Sequence, residues 1–368
     1  MRDLIARAES IGESLVDIAA AGAPGRVNRP LVEAIAGHDL FETVLADDNV
    51  RAMDLCAIRH GLARSCTEAE TAFAIQGLGG VPILRSGAEA LRHEWIPRLR
   101  RGEAVAAFAL TEPEAGSDAA ALSTTAVADG EGWRLSGEKL YISNAPDADI
   151  YTVFARTTEG AGAKGVSAFA VPGDSPGLRG EAVDLIAPHP VGRLVFDGVF
   201  VPYANVLGDI DGGFRVAMAT LDLFRPSVGA FALGMAESAL RIAVEHAQAR
   251  EAFGKPIGSF QGVSHQLADV RLEIAAAEHL VYDAAAAYDL GEVDRLTGLA
   301  AMAKLAATEA AQHAVDVAIQ VLGARGLVSG SKLAHLYAEV RAPRIYEGTS
   351  EIQRNIIARE LMRGPLLP

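Results

Sequence analysis

From residue 1 to about 105 the apolar positions recur three and four apart, as in Leu31, Ala34 and Ile35 or Leu55, Ile58 and Leu62, which is the spacing of one helix face. Between about Ala106 and Leu207 the period shortens to two. Trp133 to Ser136, Ile150 to Phe154 and Val195 to Val201 alternate between Gly, Asp and Pro turns, the pattern of short strands. From Gly213 to Met362 the helical period returns in longer segments. One runs to Arg225, with Pro226 placed to open the next at its first position. That second segment stops at Gly254, with Pro256 just beyond, and two more cover about 260 to 290 and 294 to 322. The pattern predicts an α+β chain, mainly α, in three domains: an N-terminal helical domain (1–105), a central β domain (106–208) and a C-terminal helical bundle (209–368).

Composition sharpens this picture in a few places. The chain has 368 residues, half of them apolar and only 6% aromatic, with abundant Ala and Gly, which suits closely packed helices. A formal charge of −14 opposes sequence-independent nucleic-acid binding, which needs clustered Lys and Arg. The N-terminal stretch interleaves charges with apolar residues and lacks the apolar core of an export signal, and no uninterrupted apolar run reaches membrane-spanning length. Two cysteines, Cys56 and Cys66, are too few for a disulfide framework or a Cys-based metal site. A cytoplasmic protein with no membrane and no metal is expected.

Five segments carry candidate chemistry. Thr111-Glu112-Pro113-Glu114-Ala115-Gly116-Ser117-Asp118 follows the apolar Ala107 to Leu110, and its small residues let a flat heterocycle or a phosphate approach the backbone. Alone it is an ordinary turn. Gly137 to Ala145 places Tyr141 to cover one face of a ring and Ser143 to bond its edge, or is simply a strand entering an Asn-containing turn. Arg250 and Phe253, spaced i and i+3, can meet one ligand at a helix end, with the guanidinium suited to a pyrophosphate. A surface Arg above a core Phe would give the same pattern. Gln320 to Gly326 reads as a helix running into a Gly-rich turn, a common arrangement. In Ile345 to Gln353, Pro343 ends the preceding helix and Ser350 with Gln353 forms a capping box, so Glu347 falls in a short loop beside Gly348. That carboxylate is a candidate base or a solvated loop residue.

In this order and at these separations the five segments resemble the acyl-CoA dehydrogenase family, from about Gly87 to Leu361. Gly87 to Glu89, Pro97 and Gly102 fit the approach to the first segment, whereas residues 1 to about 70 match only in helical texture. The resemblance implies a barrel-like β domain, a C-terminal four-helix bundle, FAD, and an acyl-CoA substrate dehydrogenated to a trans-2-enoyl-CoA. It implies Glu347 as the base. Phe108, Leu110, Thr111, Gly116, Ser117, Tyr141, Ile142 and Ser143 would lie along the flavin, Arg250, Phe253, Gln261, Gln320, Leu322 and Gly323 along its ADP part, with Thr349 and Glu351 completing the contacts. Substrate would meet Ser117, Leu78, Asp222, Phe224, Arg225, Tyr346 and Gly348. The thioester carbonyl would accept hydrogen bonds from the Glu347 backbone N–H and a flavin ribityl hydroxyl. The implied partners are an electron-transfer flavoprotein and further copies of the chain, as a tetramer or dimer.

Departures from the family pattern narrow the reading. Tyr141 replaces a Trp, Ala324 a Gly, and the stretch from Leu185 to Gly192 is shortened, which touches the β-domain edge. Phe224 fills the position where one branch carries its catalytic acid, leaving Glu347 as the candidate. A pocket wall of Thr71, Ala74, Ile75, Leu78 and Phe224 holds no Arg or Lys, which disfavours a dicarboxylyl substrate. Three alternatives keep the fold: an oxygen-using acyl-CoA oxidase, a nucleic-acid-binding family member, and a catalytically silent flavoprotein.

Overall fold

The computed structural model of the chain describes residues 1–46, 50–187, 189–364 and 366. Six helices come first: α1 (Arg2–Ala20), α2 (Arg29–Ala36), α3 (Leu40–Val44), α4 (Ala52–Ser65), α5 (Thr67–Ser86) and α6 (Glu89–Arg100). Eight strands follow: β1 (Ala106–Ala109), β2 (Thr125–Asp129), β3 (Gly132–Ser143), β4 (Ile150–Arg156), β5 (Val166–Pro172), β6 (Leu178–Ala182), β7 (Val191–Pro202) and β8 (Val206–Leu207). Then come α7 (Gly213–Ala249), a hairpin of β9 (Glu251–Ala252) and β10 (Lys255–Pro256), α8 (Gln261–Leu290), α9 (Val293–Leu322), α10 (Lys332–Glu339) and α11 (Ser350–Arg363). The chain divides into two compact units, one of Met1–Ser14, Arg51–Glu70 and the part from Asp222 onward, the other of Leu15–Val50 and Thr71–Leu221.

In the second unit β1 to β8 form one sheet in the order β6-β7-β3-β2-β4-β5-β8, with β1 added parallel to β4. The two long strands β3 and β7 pair antiparallel, with Trp133 opposite Val201 and Leu135 opposite Val199. Every residue of β4 up to Ala155 is buried, so this strand carries a continuous apolar run instead of alternating. Gly79 on α5 is needed for the approach to β1: a Cβ there would lie 2.6 Å from the Ala107 backbone nitrogen. The Thr152 hydroxyl closes the same contact by donating to the Gly79 carbonyl at 2.9 Å.

In the first unit α8 and α9 pack along their length, and α9 also meets α10 and α11. The buried face of α9 is Ala300, Ala303, Ala307, Ala311, Ala314 and Ala318, spaced three and four apart, and small side chains let the helix axes approach closely. α8 ends at Gly291, a left-handed C-cap whose N–H reaches the Ala287 carbonyl.

Several expected boundaries move. Pro226 does not open a new helix but lies inside the 37-residue α7. The turn around it is held by buried Phe224 and Val228 and by the Ser227 hydroxyl, which donates to the Phe224 carbonyl at 2.6 Å. Merged in this way, α7 is long and apolar enough to cross a membrane by length and composition, but 72% of its most apolar window is buried within the protein, as in a core helix. The helix stops at Ala249 rather than Gly254, because Phe253 and Gly254 take left-handed backbone angles and turn the chain into the β9–β10 hairpin. Arg250 and Phe253 therefore do not share a helix face. Pro343 does not end α10, which stops at Glu339; it sits in a following 3-10 turn. Thr349, not Ser350, caps α11, its hydroxyl accepting from the Ile352 N–H, while Ser350 donates to Glu309 at 2.6 Å. Within the shortened stretch, Leu185 and Ile186 are exposed and Pro188 lies outside the described residues.

Candidate active site

In the second unit the first two segments are physically joined. The Leu140 N–H donates to the Thr111 carbonyl at 3.0 Å, and Lys139 Nζ donates to the Leu110 carbonyl at 3.0 Å. Beneath them Lys139 and Glu112 form a buried ion pair at 2.8 Å. Glu112 also accepts from the Ser123 and Thr124 N–H groups and the Ser123 hydroxyl. Burial alone would push this carboxyl up, but Lys139 and the backbone donors overcome it and hold it at about 2. Glu112 is thus the structural base of the turn, a role that its sequence context does not reveal.

On this base Phe108 packs its ring 4.8 Å from that of Phe154, Leu110 and Ile142 are buried, Thr111 and Ser143 are half-buried, and Gly116 and Ser117 are exposed. Tyr141 sits at a register shift of β3 against β7, takes a φ of 57°, and leaves its ring 58% exposed. Leu78, on α5 of the same unit, is buried.

In the first unit the third and fourth segments share a cationic corner. His246, near the end of α7, is held below its usual value by burial first and then by the charges of Arg325 and Arg250. The turn at 323–327 therefore lies within electrostatic reach of the end of α7. Neither arginine has a recorded ion-pair partner among the described residues. Phe253, at the hairpin tip, is 95% exposed and meets Phe260 edge-on at 6.0 Å. Gln261 opens α8, Gln320 and Leu322 end α9, and at Gly323 a Cβ would meet nothing within 4 Å. Arg325 is not among the contacts expected from sequence; its place beside the Gly-rich turn is the available signal.

The Glu347 loop is built differently. Glu347 has a φ of 51° and Gly348 one of 93°, and a Cβ on Gly348 would lie 2.5 Å from the Gln353 amide nitrogen. Two donors clamp the loop's carbonyls: Lys304 Nζ to Gly348 at 2.7 Å, and Gln353 Nε2 to Gly348 at 3.0 Å and to Glu347 at 3.3 Å. Glu347 Oε2 is shielded from solvent and has no hydrogen-bond partner. Burial pushes this carboxyl above the ordinary carboxylate range, while Arg59, Arg225 and Lys304 pull it back. Lys304 is itself pushed down to about 8 by burial, against the pull of Glu347. Thr349 caps α11 beside this loop, and Glu351, exposed in the first turn, is lowered by the backbone and Thr349.

Phe224 is fully buried, so no second carboxylate occupies that position. Arg225 pairs with Asp222 at 3.2 Å. Of the three cations near Glu347, Arg225 is expected from sequence at the substrate, whereas Arg59 and Lys304 are not anticipated; Arg59 pairs with Glu70, Arg225 with Asp222, and Lys304 with the Gly348 carbonyl.

Six non-glycine residues among those described have left-handed φ values, and Tyr141, Phe253 and Glu347 are three of them. Such conformations are uncommon outside glycine, and strained backbone concentrates at functional sites. For a flavin dinucleotide, the exposed Tyr141 ring and the small residues Gly116 and Ser117 suit a flat heterocycle. The exposed Phe253, the open Gly323 backbone and the two unpaired arginines suit an adenine and a pyrophosphate.

Comparisons with known proteins agree. The acyl-CoA dehydrogenase C-terminal domain family matches residues 211–362, and the middle-domain family matches residues 107–199. The cyclohexane-1-carbonyl-CoA dehydrogenase of Geobacter metallireducens is 38% identical over 312 residues, 84% of this chain and 81% of that protein. The rat mitochondrial short-chain specific acyl-CoA dehydrogenase is 41% identical over 286 residues, 77% of this chain and 69% of that protein. The structure of butyryl-CoA dehydrogenase from Megasphaera elsdenii superposes with a TM-score of 0.90 at 31% identity, covering 99% of each chain. With its sheet and helical bundle matched over nearly the whole length and its flavin-suited surfaces in place, the chain belongs to the acyl-CoA dehydrogenase family of FAD-dependent oxidoreductases.

Proposed function

We propose that the protein dehydrogenates a saturated acyl-CoA between its alpha and beta carbons, giving the trans-2-enoyl-CoA, with Glu347 as the base. The observation that carries this reading is the Glu347 carboxyl: Oε2 is shielded and without a partner, on a loop whose carbonyls are tied by Lys304 and Gln353. An unpartnered acceptor in a dry site is costly to keep, so it marks a place where a substrate proton is to be received. Burial makes the carboxylate a stronger base than it is in water, and the three cations favour its ionised form at neutral pH. FAD, when bound, supplies the oxidant that takes the beta hydride.

The chain's own residues do the rest. The rigid loop fixes where the carboxylate points, and buried Phe224 lends an apolar side to the acyl site. Arg59 is held by Glu70 and Lys304 by the Gly348 carbonyl, while Arg225 pairs with Asp222 through Nη1 and keeps a buried Nε without a partner. A monocarboxylyl thioester is proposed as the substrate class. The similarity to a short-chain and to a ring-bearing acyl-CoA dehydrogenase supports a compact acyl group.

Electrons are proposed to pass to an electron-transfer flavoprotein. Self-association as a tetramer or dimer is proposed from the family membership. Cys56 and Cys66, both free and buried, suit a cytoplasmic setting. The test is anaerobic bleaching of the flavin in the purified holoprotein by acyl-CoAs of graded length, branching and ring size. Bleaching by butyryl-CoA or cyclohexane-1-carbonyl-CoA, and none by glutaryl-CoA, is expected. Bleaching by none of them would overturn the reading, and rapid reoxidation in air would move the electron acceptor to oxygen.

A further inference from the structure

Lys304 lies on the buried face of α9 between Ala300 and Ala307 and is itself fully buried. A lysine is rarely buried to this extent without a carboxylate partner. Lys304 has no ion pair recorded among the described residues, and its ammonium donates to the Gly348 carbonyl at 2.7 Å. Gln353 on α11, also fully buried, donates from Nε2 to the same carbonyl at 3.0 Å and to the Glu347 carbonyl at 3.3 Å. Its Oε1 is shielded from solvent and has no partner.

Both arrangements are costly. An ammonium among alanines and an amide oxygen without a donor each give up hydration that these contacts only partly replace. What the two side chains share is their point of action, the carbonyls of Glu347 and Gly348. There the backbone is left-handed at both residues, with φ of 51° at Glu347 and 93° at Gly348, and a glutamate needs restraint to stay in that conformation.

Resting on the assignment of Glu347 as the base, we propose that Lys304 and Gln353 are positioning residues for the dehydrogenation: by holding the Gly348 carbonyl from two helices, they keep the Glu347 backbone left-handed and its carboxylate poised for the alpha proton.

A carbonyl has two lone pairs, and the Gly348 oxygen has a donor for each, so its peptide plane cannot turn without breaking a contact. The next residue is fixed as well, because the Thr349 hydroxyl accepts from the Ile352 N–H at the start of α11. The loop is thus tied through its carbonyls while Glu347 Oε2 is left without a partner. Such restraint matters for rate, since a misplacement of about 1 Å can cost on the order of 100-fold. Lys304 also carries a charge that favours the ionised form of Glu347. Gln353 carries none, which separates the clamp from the field.

The measurement compares FAD-loaded wild type, Lys304→Met and Gln353→Met, since Met removes the donor at similar side-chain length. Single-turnover flavin reduction, per bound flavin, is read at saturating acyl-CoA on the pH plateau of each protein, so that a displaced titration of Glu347 does not count. Acyl-CoA affinity from the flavin spectral change, melting temperature and amide hydrogen exchange of the peptide covering 345–349 are read alongside. The saturated rate should fall by about 10- to 100-fold in both variants, with affinity near wild type and faster exchange confined to the loop. If Lys304→Met does not fold, Gln353→Met, which leaves every charge near Glu347 in place, still decides. A wild-type rate in folded Gln353→Met, whatever Lys304→Met does, would leave at most the lysine's charge at work and overturn the clamp. A wild-type rate in both variants with a lowered melting temperature would make the two residues structural, and a lowered rate with loop exchange unchanged would also overturn the proposal. A Glu347→Gln control that still reduces flavin would instead remove the base assignment on which the proposal rests.

Discussion

Glu112 and Glu347 are two shielded carboxylates treated in opposite ways. Glu112 is saturated: Lys139, two backbone N–H groups and a hydroxyl converge on it, and it is held at about 2. Glu347 keeps one oxygen without a partner, has cations near it but no ion-pair partner recorded, and is pushed up by burial. Both sit beside turns that the sequence marks as candidates for chemistry. The contrast teaches that donor count, more than burial, separates a carboxylate that holds a fold from one left ready to take a proton.

The comparison breaks most visibly at Glu112. Glu112→Ala leaves the Lys139 ammonium buried without its counter-charge, at an expected cost of about 3 to 5 kcal/mol. Chemical denaturation is the check, and a loss below about 1 kcal/mol would mean that the pair does not anchor the turn.

The same logic has a pH signature. Glu112, and Glu237 held by His60 and Arg64, both lie near 2 in the folded protein, below the ordinary 4.5. Their contribution is complete above about 4.5 and is lost as pH falls from there towards 2. Melting temperature should therefore decline through that window in wild type, and the decline should be shallower in a folded Glu237→Gln variant.

A smaller effect is expected at the cationic corner. Arg250→Ala removes one of two arginines without recorded ion-pair partners, and a charge-assisted contact to a pyrophosphate is worth about 1.5 to 3 kcal/mol. FAD retention on dilution should weaken accordingly while melting of the apoprotein is unchanged. Equal retention would place the ADP part of the flavin elsewhere.

Much of this architecture is legible in the amino-acid sequence. The change from helical period to alternation at Ala106 marks where β1 starts, and the turn, hairpin and loop segments are where chemistry concentrates. Two kinds of feature escape. Pro226 looks like a helix start, because local rules cannot see the buried packing that carries α7 through it. Arg59 and Lys304 escape because an apolar stripe reads as core whatever charges lie along it. Arg59 falls at i+4 in Leu55, Ile58, Leu62, and Lys304 lies between Ala300 and Ala307 on the buried face of α9. A charge on an apolar stripe is the available signal. The clamp on the Glu347 loop is not legible at all, since its donors come from α9 and α11 and converge only through folding.

The central claim is that Glu347 is kept unpartnered in order to receive the alpha proton. Glu347→Gln nearly preserves shape, so the protein should fold, retain FAD and show the flavin spectral change on binding acyl-CoA. Single-turnover flavin reduction should fall by about 100- to 10,000-fold, the usual contribution of a general base, because buried Phe224 offers no substitute carboxylate. Reduction at a near-normal rate would contradict the account and move the base to another residue.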